Sequence, residues 1–466
     1  MSVIADPAPA PAAATPDGLP KPRRYWAAAV IILAIVMSVL DSTIVNIALP
    51  SIARDFDASA AASIWVVNAY QLAILMLLLP LASLGEIVGY RRVSQAGLLI
   101  FTVASVGCAL APSLATLSIA RAIQGVGAAG IMSVNAALLR FTYPHRSLGR
   151  ALGINALAVA SAAAIGPTIA SAILAVAHWR WLFGINVPIG LVTFTIALRA
   201  LPHSERSARR LNWVGAVLYA GAFGAALSGL QSLAHEAATP IALMQLGLGV
   251  ILGWLLVLHE QPRQAPLVPF DLLRVRLFRL SLLTSVCSFM AQMTALVALP
   301  FEIQRLGHTA VATGLLMTPW PLALACAAPI AGRLADRHPA GILGGAGLLV
   351  MSLGLVLLAF FPASGTSADF IWRMALCGLG FGFFQSPNNR TIMAAAPRAR
   401  SGAAGGLLSA ARLAGQTLGA ASVAILFRAY AAAGSNLALC LAAALALAAA
   451  VVSLVRLKSA PTEGRP

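Results

Sequence analysis

Long apolar segments recur along the whole chain, separated by short polar stretches that carry most of its charge. They cover residues 25–49, 63–84, 94–112, 114–139, 148–176, 181–200, 213–233, 239–259, 280–301, 311–333, 341–362, 369–390, 402–429 and 434–457. A transmembrane helix needs about 20 residues, so the pattern predicts fourteen spans and an all-α polytopic membrane protein. The first segment follows an Ala/Pro-rich tail ending in Lys21, Arg23 and Arg24. It is longer than the 7–15 residues of a signal-peptide core and is read as span 1. An even count puts both termini on one side.

The loops choose that side. Arg91 and Arg92, Arg140, Arg146 and Arg150, Arg206, Arg209 and Arg210, Arg263, Arg274, Arg276 and Arg279, Arg333 and Arg337, and Arg398 and Arg400 all fall in loops on the side of the basic tail. Arg456 and Lys458 close the series. The opposite loops hold little beyond Arg54, Arg180, Arg305 and Arg428. Positive charge marks the cytoplasmic side, so both termini are expected there, in a cytoplasmic (inner) membrane. Trp179 and Trp181 suit an interfacial belt on the outer side.

Composition agrees. Of 466 residues, 60% are hydrophobic and 10% charged, against about 25% charged in soluble domains. The net charge of +17 is spread through the loops rather than gathered in a patch, which argues against a nucleic-acid partner. The five cysteines form no CxxC pair and the histidines show no ligand spacing, so no metal site is expected. The two lysines, Lys21 and Lys458, do not follow glycine, which excludes a Walker A loop and a self-contained ATP pump. No cofactor is expected, and an electrochemical proton gradient remains as the energy source. An enzyme would need a nucleophile, metal or cofactor constellation, and the sequence offers none.

An internal repeat divides the chain. Leu84–Gly85–Glu86 precedes a basic loop, and Leu334–Ala335–Asp336 does so 250 residues later. Gly125, Gly127 and Asn135 in span 4 match Gly378, Gly380 and Asn388 in span 12 at an offset of 253, with Arg121 and Arg373 one position out of step. The simplest account is a tail (1–24), a six-helix bundle (25–200), two inserted helices with linkers (201–279), a second six-helix bundle (280–457) and a tail (458–466). Parallel repeats of this kind characterise secondary transporters that rock one half against the other.

Asp41 is the one acid deep in a span. Aspartate at a helix centre costs roughly 2.5–3.5 kcal/mol on insertion scales, so it is a functional candidate that can take a proton from one side and release it to the other. Arg121 sits at similar depth and is its expected partner. Arg412 in span 13 is a second deep cation, placed either to meet substrate or to bond helix-end carbonyls. Glu302, just after Pro300, is a candidate for an outer vestibule, although a solvated helix-end acid would look the same. Asn388 and Asn46 are candidate cavity residues. Glu86, Gly89, Arg91, Gly332, Asp336 and Arg337 lie at cytoplasmic helix ends, where they would latch spans together or be solvated. Gly166 and Pro167 interrupt span 5 with a bend and a close-packing face.

These segments resemble the fourteen-span drug:proton antiporter family of the major facilitator superfamily, over nearly the whole chain after the tail. Leu40–Pro50 (LDSTIVNIALP) is similar to that family's span 1 motif, with the functional acid at Asp41 and Asn46 following. Arg121–Ala129 (RAIQGVGAA), Trp179–Gly190 (WRWLFGINVPIG) and Gly332–Arg337 (GRLADR) resemble its span 4, span 6 and second-half loop motifs. The first-half loop departs from the pattern at Ala82, Glu86 and Ile87, and the span 5 motif carries Ala170 and Ser171 where the family has glycines.

The resemblance implies a major facilitator fold and a proton-coupled exporter of lipophilic, cationic small molecules. In a Gram-negative host, a periplasmic adaptor and an outer-membrane channel would complete the route out of the cell. An exporter of an endogenous metabolite or organic anion, recognised by Arg121 and Arg412, is the alternative. A non-transporting membrane sensor would need a sizeable soluble domain, and the loops and tails are short.

Overall fold

The computed structural model describes residues 18–204, 211–233, 239–261, 263, 266–335, 337–362, 365–396, 400–430 and 433–456. Each apolar segment is a helix, as expected where no water is available to backbone groups. Span 1 is Lys21–Asp55, span 2 Ala60–Val88 with a one-residue break at Ile64, span 3 Tyr90–Ala109, span 4 Leu114–Thr142 and span 5 His145–Val176. Span 6 is Trp181–Ala200, broken at Ile185. Spans 7 and 8 are Trp213–Ser232 and Thr239–Glu260. Span 9 is Arg276–Arg305, span 10 Ala310–Leu334 broken at Thr318, span 11 Ala340–Ala359, span 12 Ser367–Ala395, span 13 Ser401–Ala429 and span 14 Gly434–Val455.

Thirteen of these helices, among the described residues, are long and apolar enough to cross a membrane. Span 12 has the length, at 29 residues, but carries Asp369, Arg373, Gln385, Asn388, Asn389 and Arg390.

The packing pairs repeat. In the first half span 1 packs on spans 4, 5 and 6, span 2 on span 4, and span 3 on spans 4 and 6. In the second half span 9 packs on spans 12, 13 and 14, span 10 on span 12, and span 11 on spans 12 and 14. The halves meet through spans 2 and 13 and through spans 5 and 10, again a matched pair. Spans 7 and 8 pack on one another, and span 7 rests against spans 2 and 13.

The repeat reaches single atoms. A Cβ on Gly127 would lie 2.6 Å from the Gly97 carbonyl, and one on Gly380 would lie 2.5 Å from the Gly347 carbonyl. Asn135 donates to the Ile31 carbonyl at 3.3 Å, and Asn388 to the Ser281 carbonyl at 3.4 Å. Span 4 opens with a capping box in which Thr116 N–H bonds Ser113 Oγ and Ser113 N–H bonds Thr116 Oγ1. Thr366 and Asp369 reproduce it at span 12, so each helix satisfies two orphan donors at its start.

Both described ends lie on one face, here the terminal face. Leu19 N–H bonds the carbonyl of Thr142 at the end of span 4, and Arg23 bonds the carbonyls of Ala200 and Leu201 after span 6. Arg456 bonds Ser281 and Ala340 at the starts of spans 9 and 11. Arg456 is therefore buried rather than a solvated loop charge. Trp179 is also buried, donating to Asp55 at 3.1 Å, so only Trp181 stands exposed as a belt residue would.

On the distal face the halves are tightly closed. Arg54 of span 1 donates to Gln304 of span 9 at 3.2 Å. Gly314 of span 10 lies over the Pro167 carbonyl and Ser171 hydroxyl of span 5, and Thr168 bonds Thr318 at 2.9 Å. Toward the terminal face some positions stand open: a Cβ added to Gly153 on span 5 or Gly405 on span 13 would meet no atom within 4 Å, although Gly406 beside the latter lies against Leu79 of span 2.

Candidate functional site

Asp41 and Arg121 are both 0% exposed and form a direct ion pair between Asp41 Oδ2 and Arg121 Nη1. The other carboxylate oxygen, Oδ1, accepts from Gln124 Nε2 at 3.0 Å and from Asn186 Nδ2 at 2.9 Å. Spans 1, 4 and 6 thus converge on one carboxylate. Helical spacing explains part of this. Arg121 and Gln124 are three residues apart and share a face of span 4, where Arg121 Nη1 also donates to Gln124 Oε1 at 2.6 Å.

Span 2 holds the guanidinium from the other side. Arg121 Nε donates to the Val66 carbonyl at 3.0 Å, and its Cζ stands 4.1 Å from the Tyr70 ring centroid. Tyr70 is in turn fixed by donating to the Ser38 carbonyl at 2.9 Å, and Gln124 by donating to Ser105 at 2.9 Å. Arg121 Nη2 is buried with no hydrogen-bond partner. An unsatisfied buried donor costs about 1–3 kcal/mol, so this arrangement is not at its electrostatic optimum.

All three donors to Asp41 present N–H groups to its oxygens. A bound calcium or magnesium ion needs oxygen ligands around it, and Arg121 already occupies one carboxylate oxygen. Among the described residues, no group of three His, Cys, Asp or Glu side chains could hold a metal ion.

Among the described residues, the second half has no counterpart of this pair. Arg373, the counterpart of Arg121, bonds the Leu357 carbonyl at 3.1 Å and stacks by Phe361 and Trp372. Ala291 stands 250 residues after Asp41, so the second half has no acid there.

Several other sequence candidates lie elsewhere than expected. Glu302 is buried, taking bonds from Ser435 and from Arg305 at 2.6 and 3.0 Å. It ties span 9 to span 14 and does not open onto a vestibule. The distal cleft, about 450 Å³, is lined instead by Ser51, Arg54, Asp55, His178 and Trp179 among others. Asn388 is fully buried and engaged by Ser281, Ser285 and Arg456, so it clasps spans 9, 12 and 14 rather than facing a cavity. Asn46 is buried with its Oδ1 unpartnered.

Of the described loop-motif residues, Arg91 ties span 3 to the end of span 6, and none bridges the two halves. Glu86 and Arg337 are exposed, and Asp336 lies outside the described residues. Arg91 bonds His203 at 3.0 Å and the Leu198 carbonyl, both within its own half. Gly89 takes φ +103°, a conformation that suits glycine, at the turn between spans 2 and 3. Gly332 faces Ser386 of its own half. Gly166 packs against Thr43 of span 1, while Pro167 offers its carbonyl to Gly314 of the other half.

Sequence reading missed Gln124, Asn186 and Tyr70. Gln124 and Asn186 are polar residues inside otherwise apolar motifs, which was the available signal. Tyr70 gave none, since tyrosine is ordinary in a membrane helix.

Two matched helix bundles with a charged pair sealed in one of them define a multi-pass membrane transporter. Residues 31–420 match the Major Facilitator Superfamily, and the chain belongs to it. It is 49% identical over 444 residues to the uncharacterized transporter YebQ of Escherichia coli K12, covering 95% of this chain and 97% of that protein. It is 32% identical over 395 residues to the multidrug resistance protein Stp of Mycobacterium tuberculosis, covering 83% and 73%. The crystal structure of a bacterial homologue of the human lysosomal transporter Spinster, inward-facing and unoccupied, superposes with a TM-score of 0.70 at 16% identity, covering 96% of this chain and all of that one.

Proposed function

We propose that this protein is a proton-coupled exporter of lipophilic small molecules, of the fourteen-span drug:proton antiporter kind. It would sit in the cytoplasmic membrane with its terminal face toward the cytoplasm. The arginine-rich loops on that face support the orientation, and the likeness to a multidrug resistance protein supports the substrate class.

The observation that carries the coupling is the sealed Asp41–Arg121 pair. Protonating Asp41 removes its charge and leaves Arg121 buried without a counter-ion, a state strongly disfavoured in a low-dielectric setting. Spans 1, 4 and 6, which meet at that carboxylate, must then shift against one another. Span 1 packs on spans 9 and 10 of the second half, so the shift reaches the interface that closes the distal face. A proton entering from outside thereby drives the cycle that releases substrate there.

The test is dye uptake into everted vesicles under an imposed pH gradient. Wild type is expected to accumulate dye and Asp41→Asn to lose the gradient-driven part. Uptake by Asp41→Asn at the wild-type rate overturns the assignment.

A further inference from the structure

Arg412 lies eleven residues into the 29-residue span 13, about 17 Å from the terminal face at 1.5 Å per residue. Its Nε is buried and has no hydrogen-bond partner, and no described residue forms an ion pair with it. It does not cap helix-end carbonyls. A guanidinium at this depth without a counter-charge is costly, and no described residue offsets that cost.

The direction of this side chain follows from its helix. Gly405, Ser409, Arg412 and Gln416 are spaced four, three and four residues apart, so they form one stripe, and all four are partly accessible. The other directions around span 13 meet neighbouring helices. Gly415 and Gly419 press on the backbone of Val286 and Met290 in span 9. Gly406 faces Leu79 of span 2. Ala404, Leu407 and Ala411 pack with Tyr219 and Leu256 of spans 7 and 8. The open stripe therefore looks between spans 2 and 9, which belong to different halves. Gly153, 252 residues before Gly405, opens in the same way on span 5. Leu157 and Ala160 share its face and are exposed.

Charge completes the description. Among the described acids, Asp41 alone sits at mid-depth in a helix, and its oxygens are taken by Arg121, Gln124 and Asn186. Among the described residues, the space between the halves holds a cation and no free carboxylate. A cationic substrate would meet repulsion there with nothing to offset it.

Taking the export reading as given, we propose that the substrate is an amphiphilic organic anion whose carboxylate or sulfonate binds Arg412 in the cavity between the halves. Ser409 and Gln416 flank the anionic group, and the lipophilic body lies along the Leu157–Ala160 stripe of span 5. The coupling changes accordingly. With one proton entering per cycle, export of a monovalent anion moves two positive charges inward, whereas export of a monovalent cation moves none. Each charge is worth roughly fifty-fold in concentration ratio per 100 mV.

The experiment compares carboxyfluorescein and ethidium on the purified full-length protein, by fluorescence anisotropy and then by transport in reconstituted vesicles. Carboxyfluorescein is expected to bind, Arg412→Gln to weaken it at least tenfold, and Arg412→Lys to weaken it less. A potassium–valinomycin potential at fixed pH difference should accelerate carboxyfluorescein export and leave ethidium unaffected. Binding of ethidium alone or of neither dye overturns the proposal, as does an Arg412→Gln affinity within twofold of wild type when Arg412→Lys is correctly folded. Ethidium transport that Asp41→Asn abolishes would then leave the export reading standing. Conversely, carboxyfluorescein bound through Arg412 with no dye transported would keep the anion site and remove the export reading.

Discussion

Asn186 donates a 2.9 Å hydrogen bond to Asp41 across 145 residues of sequence. It brings span 6 to the Asp41–Arg121 pair beside spans 1 and 4, and it is the donor whose removal disturbs Arg121 least. Hydrogen bonds to charged groups contribute about 1.5–3 kcal/mol. Asn186→Leu is therefore expected to slow gradient-driven dye transport by about tenfold or more while substrate binding stays near wild type. Equal loss in binding and transport would instead mean that Asn186 supports the fold of the cavity.

Arg121 cannot be replaced by lysine. It uses Nε for the Val66 carbonyl, Nη1 for Asp41 and Gln124, and its planar face for Tyr70, a set of contacts that a single ammonium does not reproduce. Arg121→Ala leaves Asp41 buried and unpaired, and breaking such a pair costs about 3–5 kcal/mol. Thermal unfolding in detergent should show a clear drop for Arg121→Ala, partly recovered in the Arg121→Ala/Asp41→Asn double variant. If the two single effects simply add, the pair does not interact as described.

The glycine crossings give a paired stability test. Gly380→Ala places its Cβ 2.5 Å from the Gly347 carbonyl, and backbone cannot yield as a flexible side chain does. It should lower the unfolding temperature, with a cost of about 1–3 kcal/mol as in other overpacked interiors. Gly405→Ala meets nothing within 4 Å and sits in a helix, where alanine is favoured over glycine by roughly 0.8–1.0 kcal/mol. It should be neutral or stabilising. A destabilised Gly405→Ala would show that the space beside it is filled.

Arg54 and Gln304 bridge the distal face. In a cysteine-free background, Arg54→Cys/Gln304→Cys joined by a short bismaleimide should hold that face closed and stop transport, while each single variant, treated alike, keeps it. Undiminished transport after complete crosslinking would mean that the distal face need not open.

Much of this was legible in the sequence because it depends on local composition. A run of about 20 apolar residues must be helical in lipid, so the spans could be drawn with small errors at their ends. The break points at Ile64, Ile185 and Thr318 were not readable, since each is a one-residue departure within an apolar run. Asp41 stood out because an acid there is expensive, and Arg121 because it lay at similar depth.

Glu302 and Asn388 show where that reasoning stops. Both are polar residues in helices, which marks them as unusual, but the direction each faces depends on the neighbour it packs against. Ser435 claims Glu302, and Arg456 claims Asn388, from positions that local pattern does not connect; only Arg305, three residues on, was within its reach.

What the sequence by itself determined is therefore one-dimensional: which segments are helices, how deep each charge lies, and where the chain repeats. The tertiary structure decided which charges are neutralised. Asp41 and Arg121 satisfy one another in the first half, while Arg412, also well inside its helix, is left facing the space between the halves. The reason is that the cost of a buried charge is set by burial and length, both readable along the chain, but its compensation requires a partner within a few ångströms, and only the packing of helices brings one there.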